Sequence, residues 1–153
     1  MEFKLHFLYG FVISYILVYF SDFSILAGTI IFISSWMIDI DHYFWYSLEM
    51  KDYNPLHAIK WYRASIPKWF ALPKKEREKF RGGVFIFHGI LFWIILAALS
   101  FLHPIFLWVL IGVGIHMIAD LIDLHFKGEP LYNKIFPLYV MKRNKNKKGL
   151  EEL

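Results

Sequence analysis

Pro104-Ile105-Phe106-Leu107-Trp108-Val109-Leu110-Ile111-Gly112-Val113-Gly114-Ile115-His116-Met117-Ile118-Ala119-Asp120-Leu121-Ile122-Asp123-Leu124 carries no charged side chain before Asp120 and then closes on a cluster of polar residues. A bilayer-spanning helix needs roughly 20 apolar residues, with a range of about 17–25. This stretch has that length, and its ionisable residues all lie at one end. A histidine and two acids at a membrane-buried helix end are costly and by default functional.

Working outward, three more apolar segments share the pattern. Residues 5–20 are interrupted only by His6, Ser14 and tyrosines, residues 24–38 carry no charge before Asp39-Ile40-Asp41-His42, and residues 84–102 carry none at all. The 153-residue chain is 58% hydrophobic and 20% aromatic, with a mean hydropathy of +0.43. Average soluble domains are about 45–50% apolar. The excess and its blocked distribution argue against a soluble helical bundle. The expectation is an all-α integral membrane protein of one domain, with four transmembrane helices over about 5–20, 24–42, 84–102 and 104–124. Tight turns at Ser21-Asp22-Phe23 and His103-Pro104 make these two antiparallel hairpins, bridged by a loop over 43–83. The first segment resembles a signal-peptide core in length, about 7–15 residues. No small-residue cleavage site follows Phe20, so a retained span is expected.

The basic residues give the membrane a sidedness. All Lys and Arg fall at Lys4, between 49 and 83, or between 125 and 153. Cytoplasmic loops carry the Lys/Arg excess. Both termini and the central loop are therefore expected on the cytoplasmic side of the cell membrane. The net charge of +4 fits attraction to anionic lipid headgroups, about 1 kcal/mol per basic residue near the surface. Membrane lipid is the expected partner, and no nucleic-acid recognition module accompanies the charge. Within the loop, Phe44-Trp45-Tyr46, Trp61-Tyr62 and Trp69-Phe70 alternate with Lys60, Arg63 and Lys68. Such rings suit the membrane interface. Short interfacial helices are predicted from Asn54-Pro55 to about Ala64 and over the charged 74–80 stretch. Gly82-Gly83 breaks the chain before the third span. The 125–153 tail, with its Lys142–Lys148 basic run, is expected to be a solvated, disordered end.

Alternating direction brings the start of spans one and three and the end of spans two and four to one face. His6, Asp39, Asp41, His42, His88, His116, Asp120 and Asp123 then form one cluster. His116 and Asp120 lie one turn apart at i, i+4, the way helical bundles build metal centres. His103 is on the opposite face and cannot join, while His57 and His125 lie in flanking loops. With no cysteine in the chain, a metal must take nitrogen and oxygen ligands. His6, Asp39, His42, His88, His116 and Asp120 are the candidate ligands. Mixed imidazole and carboxylate ligands, too many here for one tetrahedral zinc, admit zinc, manganese or iron. The set is large enough for one to three ions, and a two-ion arrangement would clamp an in-line displacement at phosphorus. One of Asp39, Asp41 or Asp123, with Asp41 and Asp123 the first choices, could orient the nucleophilic water. Arg81, Arg63, Lys60 and His57 could hold a substrate phosphate. No Gly-x-Ser-x-Gly elbow or Walker-type loop is present.

An early histidine, Asp39-Ile40-Asp41-His42 ending an apolar segment, a mid-chain His88, and Gly112 followed by His116 and Asp120 resemble the YdjM-type family of membrane-bound metal-dependent hydrolases. That family is itself distantly similar to the zinc-dependent phospholipase C and P1-nuclease group. The resemblance covers roughly 6–124 and implies a multi-pass hydrolase with zinc and a phosphoester substrate. This chain departs from the family pattern at Ile38, where proline is usual, and at Arg81-Gly82-Gly83, a reduced form of a longer motif. The expected function is hydrolysis of a phospholipid or related phosphoester at the cytoplasmic membrane surface. The alternatives are a metal or proton transporter and a non-catalytic protein that binds lipid or a partner.

Overall fold

The structure, a computed structural model, describes residues 3–149. The last residues of the expected tail, 150–153, lie outside that range. The fold is all-helical, with helices α1 (Phe3–Phe20), α2 (Ile25–Met37), α3 (Ile40–Met50), α4 (Pro55–Ala71), α5 (Lys74–Arg77), α6 (Ile90–Ser100), α7 (Pro104–Phe126), α8 (Tyr132–Ile135) and α9 (Pro137–Asn144). Two stretches are long and apolar enough to cross a membrane: Ile25–Met50, in which α3 continues α2 after a turn, and Pro104–Phe126. At about 1.5 Å per residue, α7 is about 35 Å long, against a hydrocarbon core of about 30 Å.

Local chemistry sets the helix starts. Ser24 Oγ accepts from the Ala27 N–H to cap α2, and Asn54 Oδ1 accepts from Leu56 N–H before Pro55 opens α4. His103, which topology excludes from the cluster, serves the fold instead, since its Nδ1 accepts from the Ile105 N–H and caps α7. Helix α7 ends in a Schellman motif, with Gly128 N bonded to His125 O and Glu129 N to Leu124 O. Gly128 has φ +63°, a conformation that costs glycine nothing. This turn sends the chain back toward α7.

Helices α1, α2, α6 and α7 pack together, with α2 on α1 and α7, and α6 on α7. Ile38, Leu96 and Val113 form a buried core flanked by Phe87, Phe92, Trp93 and Phe106. The α2–α7 crossing is close because of Gly112. A Cβ there would stand 2.4 Å from the Ile31 carbonyl oxygen and 2.1 Å from Ser34 Oγ. Small residues at helix crossings let backbones approach in this way. The outer surface of these helices is largely apolar: Phe11, Ile25, Ile94 and Phe101 are 53, 79, 58 and 91% exposed. The inside holds His6, Asp41, His88, His116 and Asp120, all buried. A group of buried ionisable side chains beneath large exposed apolar ones departs from a soluble protein's usual pattern.

Several boundaries differ from expectation. The third apolar segment, predicted over 84–102, forms a helix only from Ile90, so α6 spans about 17 Å with 11 residues, short of a bilayer core. Residues 81–89 are irregular. Gly82, Gly83 and Gly89 weaken helix there, and the Asp41 carboxylate captures the Phe87 N–H that a helix would need. The second span is not continuous either, because a turn at Ile38-Asp39 separates α2 from α3. Helix α4 runs past the predicted Ala64 to Ala71, accommodating Pro67 within it. The 125–153 tail is folded over most of its described length. It forms α8 and α9 and returns to the loop through Arg81 N–H to Lys148 O and Lys148 N–H to Lys79 O, both 2.9 Å.

Candidate metal centre and adjoining cavity

The site starts from the Gly112 crossing. One turn further along α7, His116 meets α2, and its Nδ1–H donates to the Ser35 carbonyl at 2.8 Å. A carbonyl oxygen only accepts, so this bond fixes a proton on Nδ1, and in the neutral ring Nε2 carries the lone pair. Asp120, one turn beyond, receives His6 from α1, whose Nε2 lies 3.0 Å from Asp120 Oδ1. The His6 ring stacks on His116 with centroids 3.9 Å apart. His6 Nδ1 is buried and has no hydrogen-bond partner among the described residues.

His88 is held from the other side. Asp41 Oδ2 accepts from the Phe87 N–H at 2.8 Å and lies 3.0 Å from His88 Nδ1. Asp41 therefore orients the ring, and the opposite nitrogen, Nε2, points inward. There it faces His116 Nε2 at 3.1 Å. Asp120 Oδ2 completes a triangle, 3.6 Å from His88 Nε2 and 3.5 Å from His116 Nε2. Asp39 Oδ1 approaches the same two nitrogens at 3.8 and 3.4 Å.

These separations match those a ligand set would have. Nitrogen and oxygen ligands about 2.0–2.1 Å from a tetrahedral ion stand about 3.3–3.4 Å apart. The His88, His116 and Asp120 edges fall on either side of that value. The Asp41–His88 and Ser35–His116 bonds are the outer partners that metal-bound histidines characteristically have. Two groups, the buried His88-His116-Asp120 and His6-Asp39-His116 with a half-buried Asp39, could each hold a metal ion. The His6 Nδ1 lone pair, buried without a donor, fits a centre that needs more ligands than the first group supplies.

Each sequence candidate has a definite place. His6, Asp39, His88, His116 and Asp120 converge, and Asp41 stands behind His88. His42 sits beside them, its Nδ1 3.2 Å from Asp39 Oδ1 and its ring stacked on Phe85 at 4.3 Å. Tyr62 donates to the His42 carbonyl at 2.9 Å. Burial, reinforced by the Asp39 and Asp41 carboxylates, holds the Tyr62 phenol well above its ordinary range, so it stays a donor. Asp123 is turned away and pairs with Lys127 Nζ at 2.7 Å. His57 pairs with Asp52 at 2.8 Å on the exposed start of α4, and Lys60, Arg63 and His125 are exposed. Of the expected phosphate-binding residues, Arg81 alone lines the cavity beside the centre, where it also pairs with Glu49 at 3.2 Å.

Lys134 is absent from the expected site, yet it belongs to it. It is 9% exposed, its Nζ lies 2.7 Å from Asp120 Oδ2, and it stands over the Phe85 ring at 4.5 Å. The sequence holds a signal for it: from Pro130 to Met141, Lys134 is the one charge in an otherwise apolar and aromatic run. A cavity of about 250 Å³ opens between α4, the 81–85 loop and this returning segment, with His42 and Lys134 on its wall. Comparison of the chain with family models, curated proteins and solved structures finds no match.

Proposed function

We propose that the chain is a membrane-embedded, metal-dependent hydrolase that acts on a phospholipid or related phosphoester at the cytoplasmic membrane surface. The observation that carries this proposal is the convergence of the His88 and His116 Nε2 lone pairs with Asp120 Oδ2 at 3.1, 3.5 and 3.6 Å. The resemblance to the YdjM-type hydrolases rests on these same residues and supports it. So does the apolar exterior of α1, α2, α6 and α7. The topology proposed with it has four membrane segments as two hairpins, α6 crossing only part of the bilayer, and both termini cytoplasmic, on the strength of the Lys/Arg distribution.

A bound divalent ion, zinc first, would supply an acidified water and charge stabilisation at the phosphoryl oxygens. The chain's own residues then divide the remaining work. His88, His116 and Asp120 would hold the ion, with His6 and Asp39 available to a second. Asp41 and the Ser35 carbonyl hold the two rings in the required tautomer. His42, beside Asp39 and open to the cavity, takes the proton released as the water oxygen bonds to phosphorus. The ester P–O bond breaks, and its oxygen leaves as an alcohol with the proton that His42 gives up, which resets His42 for the next turnover.

The test is phosphate or headgroup release from mixed phospholipids by the purified, metal-loaded chain. Release that disappears in Asp120→Ala is the expected result. A wild-type chain that loads metal yet releases neither product from any phosphoester overturns the hydrolase proposal.

A further inference from the structure

The cavity beside the centre is asymmetric in its chemistry. Trp61, Tyr62, Trp69 and Phe85 form an aromatic wall, and the charged residues around it are Arg81, Lys134, Arg143 and Glu129. Three of those four are engaged: Arg81 with Glu49, Lys134 with Asp120, and Glu129 with Arg77. Arg143 has no hydrogen bond or ion pair among the described residues, and its Nε is buried. A buried guanidinium donor without an acceptor is expensive. Here it lines a cavity that His42 lines as well, and His42 lies 3.2 Å from Asp39, one of the candidate metal ligands.

We infer that this cavity is the substrate's seat: Arg143 receives the anionic phosphate of a monoester, and the aromatic wall receives its organic part. The inference rests on the hydrolase proposal and deepens it by naming the substrate class. Guanidinium matches phosphate geometry with paired donors, and Lys134 and Arg81 add positive field without giving up their partners. The rings contribute apolar area and stacking faces to the part of the ester that departs. Arg143 reaches the cavity because α9 is clamped to the loop: Asn144 Oδ1 accepts from Gly82 N–H at 2.9 Å, and Asn144 Nδ2 donates to Gly82 O at 2.8 Å. The C-terminal segment thus completes the site.

The experiment uses the metal-stripped full-length chain in maltoside micelles, with tryptophan fluorescence as readout, since Trp45, Trp61 and Trp69 line the cavity. Phenyl phosphate probes a soluble ester and dihexanoyl phosphatidate a lipid one. Saturable binding is expected, weakened about ten- to hundredfold in Arg143→Gln. Tighter binding of the phosphatidate places the source in the bilayer, and tighter binding of phenyl phosphate places it in solution; either supports the seat. Ser65→Trp, which fills the cavity without removing a cation, should abolish binding and decides the matter if Arg143→Gln fails to fold. No saturable binding by the wild-type chain, or unchanged binding in Ser65→Trp, overturns the inference. Phosphate release by metal-loaded chain that shows no binding when stripped would sink the seat and leave the hydrolase standing. Binding without release supports the seat and sinks the hydrolase.

Discussion

His88 Nε2 and His116 Nε2 face each other at 3.1 Å while the Nδ1 atoms of both rings are already engaged, His88 with the Asp41 carboxylate and His116 with the Ser35 carbonyl. In neutral rings with those tautomers, the two inward nitrogens are both lone pairs. Lone pairs turned toward each other repel unless a proton or a metal ion lies between them. The outer bonds thus leave a place between the rings that a metal ion could take.

Removing an outer partner should therefore loosen the metal without removing a ligand. Asp41→Asn is expected to weaken zinc affinity about 10- to 100-fold, the usual cost of losing such a partner. His88→Ala should cost more. Competition against a fluorescent chelator measures both. Equal affinities in wild type and Asp41→Asn would mean that Asp41 does not orient the ligand.

Lys134 and the metal should compete for one carboxylate. Breaking a buried ion pair by deleting one partner typically costs about 3–5 kcal/mol. Lys134→Met should therefore destabilise the metal-free chain by about 3 kcal/mol, and by clearly less once zinc neutralises Asp120. Unfolding in graded denaturing detergent, with and without zinc, reads the difference. An identical cost in both states would detach Lys134 from the centre.

What was legible in the sequence follows from range. The His116–Asp120 spacing is a one-turn relation on a single helix, and the Asp39–His42 cluster is contiguous. Alternating chain direction then suffices to gather them with His6 and His88. Lys134 was not legible in this way, because its meeting with Asp120 depends on the turn at Gly128 and the refolding of a segment that composition marks as tail. The shortness of α6 is equally a tertiary effect: Asp41, a residue of another helix, takes the Phe87 N–H. The helix end expected near Ala64 is likewise overrun, since α4 continues to Ala71 through Pro67 despite the usual disruption by proline.

The α2–α7 crossing carries its own expectation. Gly112→Ala would set a Cβ 2.4 Å from the Ile31 carbonyl oxygen, a backbone atom that cannot swing aside. Forced overpacking costs about 1–3 kcal/mol. The helices should separate, stretching the His116–Ser35 bond and lowering metal affinity together with stability. Stability lost with metal affinity intact would show that the crossing does not position His116.

Away from the centre, Asp52 gives a pH signature. Its carboxylate accepts from the Asn54 N–H, the Tyr46 hydroxyl and His57 Nδ1. The Asn54 bond, followed by those from Tyr46 and His57, holds its pKa down to about 2 from 3.8. Because the folded value is depressed, the contribution is complete above the ordinary value and is lost as pH falls from 3.8 through about 2. Amide protection at the α3–α4 junction should fall over that window in wild type. The fall should be absent in Asp52→Asn, and a flat wild-type profile would contradict the assignment.

The central claim is that the His88, His116 and Asp120 cluster is a metal site, and metal content tests it most directly. Elemental analysis of chain purified without chelator, alongside His116→Ala, is expected to find at least one equivalent of zinc, manganese or iron in the wild type. His116 belongs to both ligand groups, so its removal should strip the metal. A folded wild-type chain that carries no metal and takes up none on titration would contradict the account.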